Sequence, residues 1–317
     1  MKVNYKSVFI LLFTATIWGV AFVAQDVAAE HLPSFTITGV RSLIGFAALM
    51  SIVIIKSKIK KENIIEKDIK KRKQLIFASI ICGVCFAFAY NFQQFGINLY
   101  PQGVSVSGRA GFLTGLYVLF VPIIGYILLK KKIKINVFIS LILAVVGLYM
   151  LCFSKGINNV YLGDLIVLLC GVFFALQIII VDKYNNSIDI FKFGAYELLV
   201  CGIISMILAF IFETVVFKDI LKAILPLLYL GVVSCGLAGV LQIFGQKLSN
   251  NPTVDSIVMS FESVFALLGG LIIRKQIPTL NEVIGCVIMF SAIILSQITF
   301  FTKKQMKELK IKGEENV

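Results

Sequence analysis

Arg41, Glu197 and Glu262 are charged residues set well inside long apolar runs of the chain, with Asp26 and Asp182 close to the ends of two others. A charge at the middle of a membrane span costs about 2.5–3.5 kcal/mol even on a lenient insertion scale, so such a residue must pair, bind or hold a proton. Glu262 lies about eight residues into its run and is the deepest charge of all. It is readable as a substrate or proton ligand, or as a protonated acid bonded to a neighbouring helix. Arg109, four or five residues into its run, can instead reach an interface with its long stem. The only tryptophan, Trp18, falls mid-run beside Gly19, either as the aromatic wall of a cavity or packed on the sixth span. Catalytic sets are missing: the single histidine, His31, is in a connecting segment, and Cys82-x-x-Cys85 has no second pair to complete a metal site. No G-x-x-x-x-G-K-[ST] segment for nucleotide phosphates occurs either. The expectation is therefore no catalytic residue, no metal, no cofactor and no enzyme activity.

The segments that must carry these residues are apolar and long. Of the 317 residues 59% are hydrophobic, and ten segments approach the roughly 20 residues needed to cross a bilayer: 8–27, 34–55, 75–96, 105–129, 135–154, 162–182, 193–213, 224–245, 254–273 and 281–301. Lys2 and Lys6 before an apolar run ending at Val27-Ala28-Ala29 imitate a secretory signal, but the run is too long for a signal core, so an uncleaved first span is expected. All seven cysteines fall inside these segments, where a thiol acts as a small apolar side chain.

The pattern Q-x-F-G-x-x-L occurs at 93–99 and again at 242–248, 149 positions later, which reads as a duplicated unit. Ten spans in two copies are five each, and an odd number forces the second copy to be inverted. The predicted fold is all-α and membrane-integral, with repeats at 1–155 and 156–301 and a basic tail at 302–317. With the ends on the cytoplasmic side, 23 Lys and Arg residues fall on inner segments and five on outer ones, which sets that orientation in a cytoplasmic membrane. The net charge of +13 is thus topogenic, and nucleic acid is not an expected partner.

Shifting the first two spans by 156 brings Asp182 onto Asp26, Phe191 onto Phe35 and Glu197 onto Arg41; farther on the shift falls to about 144. The charge symmetry is broken: one copy offers Asp26 to partner Arg41, while the other sets the carboxylates Asp182 and Glu197 together. These four are candidates for coupling or gating. Glu197 is either a proton-coupling group or an acid neutralised by Lys192 or Lys183. Amides late in their spans, Asn91, Gln94, Gln177, Gln242 and Gln246, read as helix caps, and Gly96 and Gly245 as helix-end glycines. Gly111-x-x-x-Gly115 is a close-packing signature, and Pro122 is expected to bend its span where the matching Ala266 does not.

Ile17-Trp18-Gly19, Gly39-Val40-Arg41, Phe112-Leu113-Thr114-Gly115-Leu116-Tyr117 with Val121-Pro122, and Ser260-Phe261-Glu262-Ser263-Val264-Phe265-Ala266 together resemble the EamA family of the drug/metabolite transporter superfamily. That resemblance implies a carrier of small metabolites, often an exporter of amino acids or related compounds, with alternating access to a cavity between the halves. It implies Trp18, Tyr90, Tyr117, Gln177 and Glu262 as residues on helices bordering the cavity. The chain departs from the family in having Lys131 and Lys275 where glutamates are frequent, and Ser263 where proline often follows the span-nine glutamate. Expected partners are a small-molecule substrate and the lipid bilayer, and a homodimer is compatible with the pattern. A channel without ion coupling is the alternative, and an intramembrane enzyme the more remote one.

Overall fold

A computed structural model describes residues 4–61, 65–101, 106–130, 133–152, 161–274 and 279–297. It is built from helices α1 (Tyr5–Ala29), α2 (Ser34–Lys60), α3 (Ile69–Asn98), α4 (Val106–Gly115), α5 (Tyr117–Leu129), α6 (Ile135–Cys152), α7 (Leu162–Tyr184) and α8 (Ile190–Phe212). Next come the short α9 (Phe217–Lys222) and α10 (Ile224–Leu228), a π-helical stretch (Tyr229–Leu237), α11 (Ala238–Ser249), α12 (Pro252–Met259), α13 (Glu262–Arg274) and α14 (Leu280–Gln297). Polar side chains start four of the helices. The side chains of Asn4, Asp68, Asp189 and Asn251 each accept a backbone N–H in the adjoining first turn, satisfying donors the helix itself cannot. Lys61, Lys130 and Asn250, at φ of 52°, 53° and 53°, close α2, α5 and α11 in the left-handed conformation.

Among the described residues eight helical segments are long and apolar enough to cross a bilayer, where ten spans were expected. The other two expected spans, 135–154 and 281–301, correspond to shorter apolar helices at Ile135–Met150 and Val283–Ser296, which pack on each other. Their far ends run into 153–160 and 298–317, outside the described residues, as do Lys131 and Lys275. The bundle turns large apolar side chains outward, among them Phe9, Phe77, Ile127, Phe210 and Ile272, which suits a surface bathed in lipid rather than water.

Hydrogen bonds between connecting segments define two ends of the bundle. At one, Asn4 donates to the Leu248 carbonyl, Gln74 to Ser187 and Asn186 to Asn250. At the other, Asn98 donates to the Leu32 carbonyl, Tyr100 and Arg109 meet Asp164, and Glu213 accepts from the backbone of Phe35 and Thr36 to cap α2. Helix α1 therefore runs from the Asn186 end to the Leu32 end, whereas α7, its counterpart under the shift of 156, runs the opposite way. The packing repeats accordingly: α1 lies on α11 and α13 as α7 lies on α3 and α5, and α2 and α8 lie on each other.

The duplicated glycines lie near the ends of α3 and α11, as their spacing implies, and are packing sites as well. A Cβ on Gly96 would stand 2.5 Å from Val167 and 2.9 Å from the Gly163 carbonyl of α7; one on Gly245 would stand 2.6 Å from Leu11 of α1. The two crossings are counterparts. Ser7, which donates to the Gly245 carbonyl at 2.8 Å, is the twin of Gly163, whose own Cβ would lie 2.7 Å from the Gly96 carbonyl. Absence of a side chain lets the backbones meet, and that fixes how each half closes on the other.

Candidate functional site

Two helices of the bundle are broken near its middle. The α4–α5 chain breaks at Leu116 (φ −64°, ψ −6°) and the α12–α13 chain at Ser260 (φ −62°, ψ −11°), positions that coincide under the shift of 144. At each, a tighter i to i+3 bond interrupts the helix, from the Leu119 amide to the Leu116 carbonyl and from Ser263 to Ser260. Pro122 cannot be the common cause, since the second break has no proline. The interruptions lie against each other. Ser263 donates to the Gly111 carbonyl at 2.8 Å, and its hydroxyl would be 3.0 Å from a Cβ on Gly115, so the Gly111/Gly115 pair is what admits α13.

Beside these breaks is a small cavity of about 40 Å³. Trp18, Ala21, Phe22 and Gln25 of α1 line it, with Arg41 of α2 and Tyr90 and Gln93 of α3. The remaining wall is Thr114, Tyr117, Phe174, Ser234 and Glu262. Counting helix positions at about 1.5 Å per residue, Trp18, Phe174 and Glu262 lie near mid-depth, and Gln25, Arg41 and Gln93 nearer the Leu32 end. Gly19 brings the wall together, because a Cβ there would stand 2.7 Å from the Glu262 carbonyl. The Trp18 indole N–H donates to the Ser234 carbonyl at 3.2 Å, within the π-helical stretch, and the Tyr229 hydroxyl donates to the Ile17 carbonyl at 2.8 Å. The extra residue per turn in that stretch is a device often met at functional sites.

Several polar atoms facing this space are unusual in having no protein partner. Arg41 is 2% exposed; its guanidinium carbon sits 4.4 Å from the centroid of the Tyr90 ring, and Nε and Nη2 have no hydrogen-bond partner. Gln25 Oε1 is likewise buried without one, while the Tyr117 hydroxyl and the Glu262 carboxyl, both buried, face each other. Gln93 differs, donating to Thr114 at 3.1 Å. A buried donor or acceptor left unmade is costly, so an array of them around one space points to a ligand with complementary groups. Phe86, Tyr90 and Phe174 form the apolar floor, with Phe86 and Tyr90 stacked at 4.7 Å and Phe174 edge-on to Tyr90 at 5.5 Å.

Beyond that floor, toward the Asn186 end, the bundle is shut. Gln242 donates to Gln177 Oε1 at 3.0 Å and Gln246 to the Ile178 carbonyl at 3.0 Å, so these amides join α7 to α11 rather than cap helices. Glu197, 1% exposed on α8, adjoins Gln177. Of the residues expected to border a cavity, Trp18, Tyr90, Tyr117 and Glu262 line it together, and Gln177 belongs to the closed half. Of the expected coupling group, Arg41 is in the wall, Glu197 in the closed half, and Asp26 and Asp182 off the wall.

Asp164 was missed in the sequence. It accepts Arg109 Nε and Nη2, each at 2.5 Å, the Tyr100 hydroxyl at 2.8 Å and the Tyr161 backbone N–H at 2.8 Å, tying α4 to α7 at the Leu32 end. Burial, then the bond to Asp164, pushes the Tyr100 phenol far above its ordinary range. Phe174 was missed too, although the shift of 156 places it on Trp18. Gln25, Gln93, Thr114 and Ser234 carried no comparable signal.

An all-helical, lipid-facing bundle of two antiparallel repeats around a polar cavity defines a membrane transporter. The EamA-like transporter family matches residues 5–153 and 161–298, and the chain belongs to that family. It is 25% identical over 302 residues to the uncharacterized transporter YoaV of Bacillus subtilis, covering 93% of this chain and 97% of that one. An uncharacterized transporter of Archaeoglobus fulgidus is 26% identical over 285 residues, 90% of this chain and 83% of that protein. A solved structure titled only as a crystal structure of a protein shares the fold, at a TM-score of 0.72 and 14% identity over 92% of this chain and 98% of its own.

Proposed function

We propose that the chain is a secondary transporter that moves a small amino acid-like or drug-like metabolite across the cytoplasmic membrane by alternating access. The observation that carries this reading is a pair of polar groups in the wall of one cavity: a guanidinium with two unpartnered donors at Arg41 and the carboxyl group of Glu262. A ligand with a carboxylate and an ammonium group meets both, and Trp18, Tyr90, Tyr117 and Phe174 supply apolar wall for its side chain. Tyr90 additionally holds Arg41 in place. Gln177 serves the closed half rather than the ligand in this state.

The ten-span arrangement counts α6 and α14 as the fifth and tenth spans, in repeats at 1–155 and 156–301 with the tail 302–317 after them. Lysine and arginine bias supports cytoplasmic termini, which makes the Leu32 end external and the Asn186 end internal. On that orientation the cavity belongs to an outward-directed state. Export is the direction implied by the family resemblance. Asp26 and Asp182, twins near opposite ends of the bundle, are proposed to act in gating.

A thermal-shift screen of purified protein against amino acids, amines, carboxylic acids and cationic drugs tests the reading, because a ligand that binds only the folded state raises apparent stability by mass action. Stabilisation by an α-amino acid beyond its amine and acid analogues is expected. Stabilisation by none of these classes would refute it. Saturable counterflow of the stabilising compound in liposomes then separates a carrier from a channel.

A further inference from the structure

Among the described residues Glu197 has no ion-pair partner in the closed half of the bundle. It is 1% exposed, and Oε2 has no hydrogen-bond partner. The groups that face it are Cys82, Cys85 and Tyr90 of α3, Cys235 of the π-helical stretch and the Gln177 amide of α7. No ion pair joins Glu197 to a basic residue among the described residues. The Lys183 ammonium lies 5.3 Å from the Tyr184 ring centroid, Lys192 is in the first turn of α8, and Arg41 of α2 rests on Tyr90. A bare carboxylate in these surroundings has neither water nor a cation to hold it.

Its twin explains what such a residue is for. Arg41, 156 positions earlier, stands in the wall of the cavity that the Leu32 end encloses, on the counterpart helix of an antiparallel repeat. Exchanging the arrangements of the two halves closes that cavity and opens an equivalent one at the Asn186 end, with Glu197 in its wall. The contact to be broken is visible: Gln242 to Gln177 joins α11 to α7, and Gln242 Oε1 and Gln246 Oε1 are already without partners. We propose that Glu197 is a proton site, occluded and protonated in this state and opened to water from the Asn186 end in the opposite one. The step is transfer of the carboxyl proton to water, leaving carboxylate and hydronium, with no other bond made or broken. The proposal deepens the transporter reading and rests on it, since the exchange of states is what gives the proton its exit.

Infrared spectroscopy of purified protein in lipid films, titrated between roughly pH 5 and pH 10, reads the site directly as the C=O stretch of a protonated carboxylic acid. Expected is a band that falls as pH rises, disappears in Glu197→Gln and changes frequency in Glu197→Asp, while Glu262→Gln leaves it in place. The Asp variant keeps the test open if the amide variant does not fold. A spectrum with no Glu197-dependent band overturns the proposal, as does a Glu197 band that is unchanged across the whole range, which marks a fixed structural acid. Loss of the band on adding sodium chloride at constant pH also overturns it, in favour of a sodium site. Because the readout needs no substrate, a titrating Glu197 band in a protein that moves no solute would sink the transporter reading alone, and solute movement without the band would sink the proton site alone.

Discussion

Replacing Arg41 by glutamine removes charge from the cavity and leaves its shape nearly intact. Two guanidinium donors, Nε and Nη2, stand without protein partners. A hydrogen bond to a charged group contributes about 1.5–3 kcal/mol net, and the lower figure is taken for each donor. The variant should therefore lose about 3 kcal/mol in binding a carboxylate, roughly a hundredfold in Kd at 1.4 kcal/mol per decade. The assay is a titration of the stabilising amino acid, its decarboxylated amine and its deaminated acid against wild-type and Arg41→Gln protein in detergent. The variant should bind the amino acid and the acid about a hundredfold more weakly and the amine nearly as before. Ligand-free melting must be recorded alongside, since Arg41 also lies on the Tyr90 ring at 4.4 Å and its removal costs a cation–π contact. Equal weakening of all three compounds would refute the reasoning, because it would mean that Arg41 shapes the cavity without reading the carboxylate.

The mirror experiment is Glu262→Gln, which should weaken the amine and the amino acid but spare the deaminated acid in the same titrations. Gly96→Ala and Gly245→Ala each force a methyl group into the facing helix, and overpacking of this kind costs about 1–3 kcal/mol, so both should lower the melting temperature. Gly239→Ala, where nothing lies within 4 Å of the new methyl, should not; a thiol-reactive dye that reports exposure of the buried cysteines on melting compares the three. Asp164→Asn removes the negative charge and one of the two acceptor oxygens that Arg109 and Tyr100 share, in a pair whose side chains are 15% and 9% exposed, with an expected cost of about 3 kcal/mol in stability. Adding Arg109→Gln should return part of that loss, and a double variant no better than the single one would show that the ion pair is not the source.

The sequence made the repeat legible because a motif of fixed glutamine, phenylalanine and glycine survives at 149 residues' spacing. It could not show the role of those residues. A glycine ahead of a turn looks like a helix end from spacing alone, and only the facing backbones at Gly96 and Gly245 reveal a crossing. Similarly, Gln242 and Gln177 lie late in their apolar runs, where an amide looks like a cap; their bond across helices depends on the rotation of α7 against α11, which hydropathy does not encode. Charged residues were easier, since any charge inside an apolar run demands an explanation. Asp164 escaped because it starts its helix, where an acid is commonplace as a partner for free N–H groups.

The helix breaks reveal how the two halves share one construction yet differ in use. A proline was the visible cue for a bend in the first copy, but the interruption at Leu116 has its counterpart at Ser260 without one, so the break comes from the fold and not from Pro122. The residues just past each break are specific to the copy. Tyr117 opens α5 and Phe261 stands at the matching place, while Glu262 corresponds to Val118; the hydroxyl and the carboxyl that face the cavity thus come from opposite copies at adjoining breaks. The same division holds for Arg41 and Glu197, one in the open half and one in the closed half. Two identical repeats could offer only the same groups to a ligand in both states. Because these differ, the proposed exchange of states would present a cation when the Leu32 end is open and an acid when the Asn186 end is open. On that proposal the ligand is bound on different terms at the two faces.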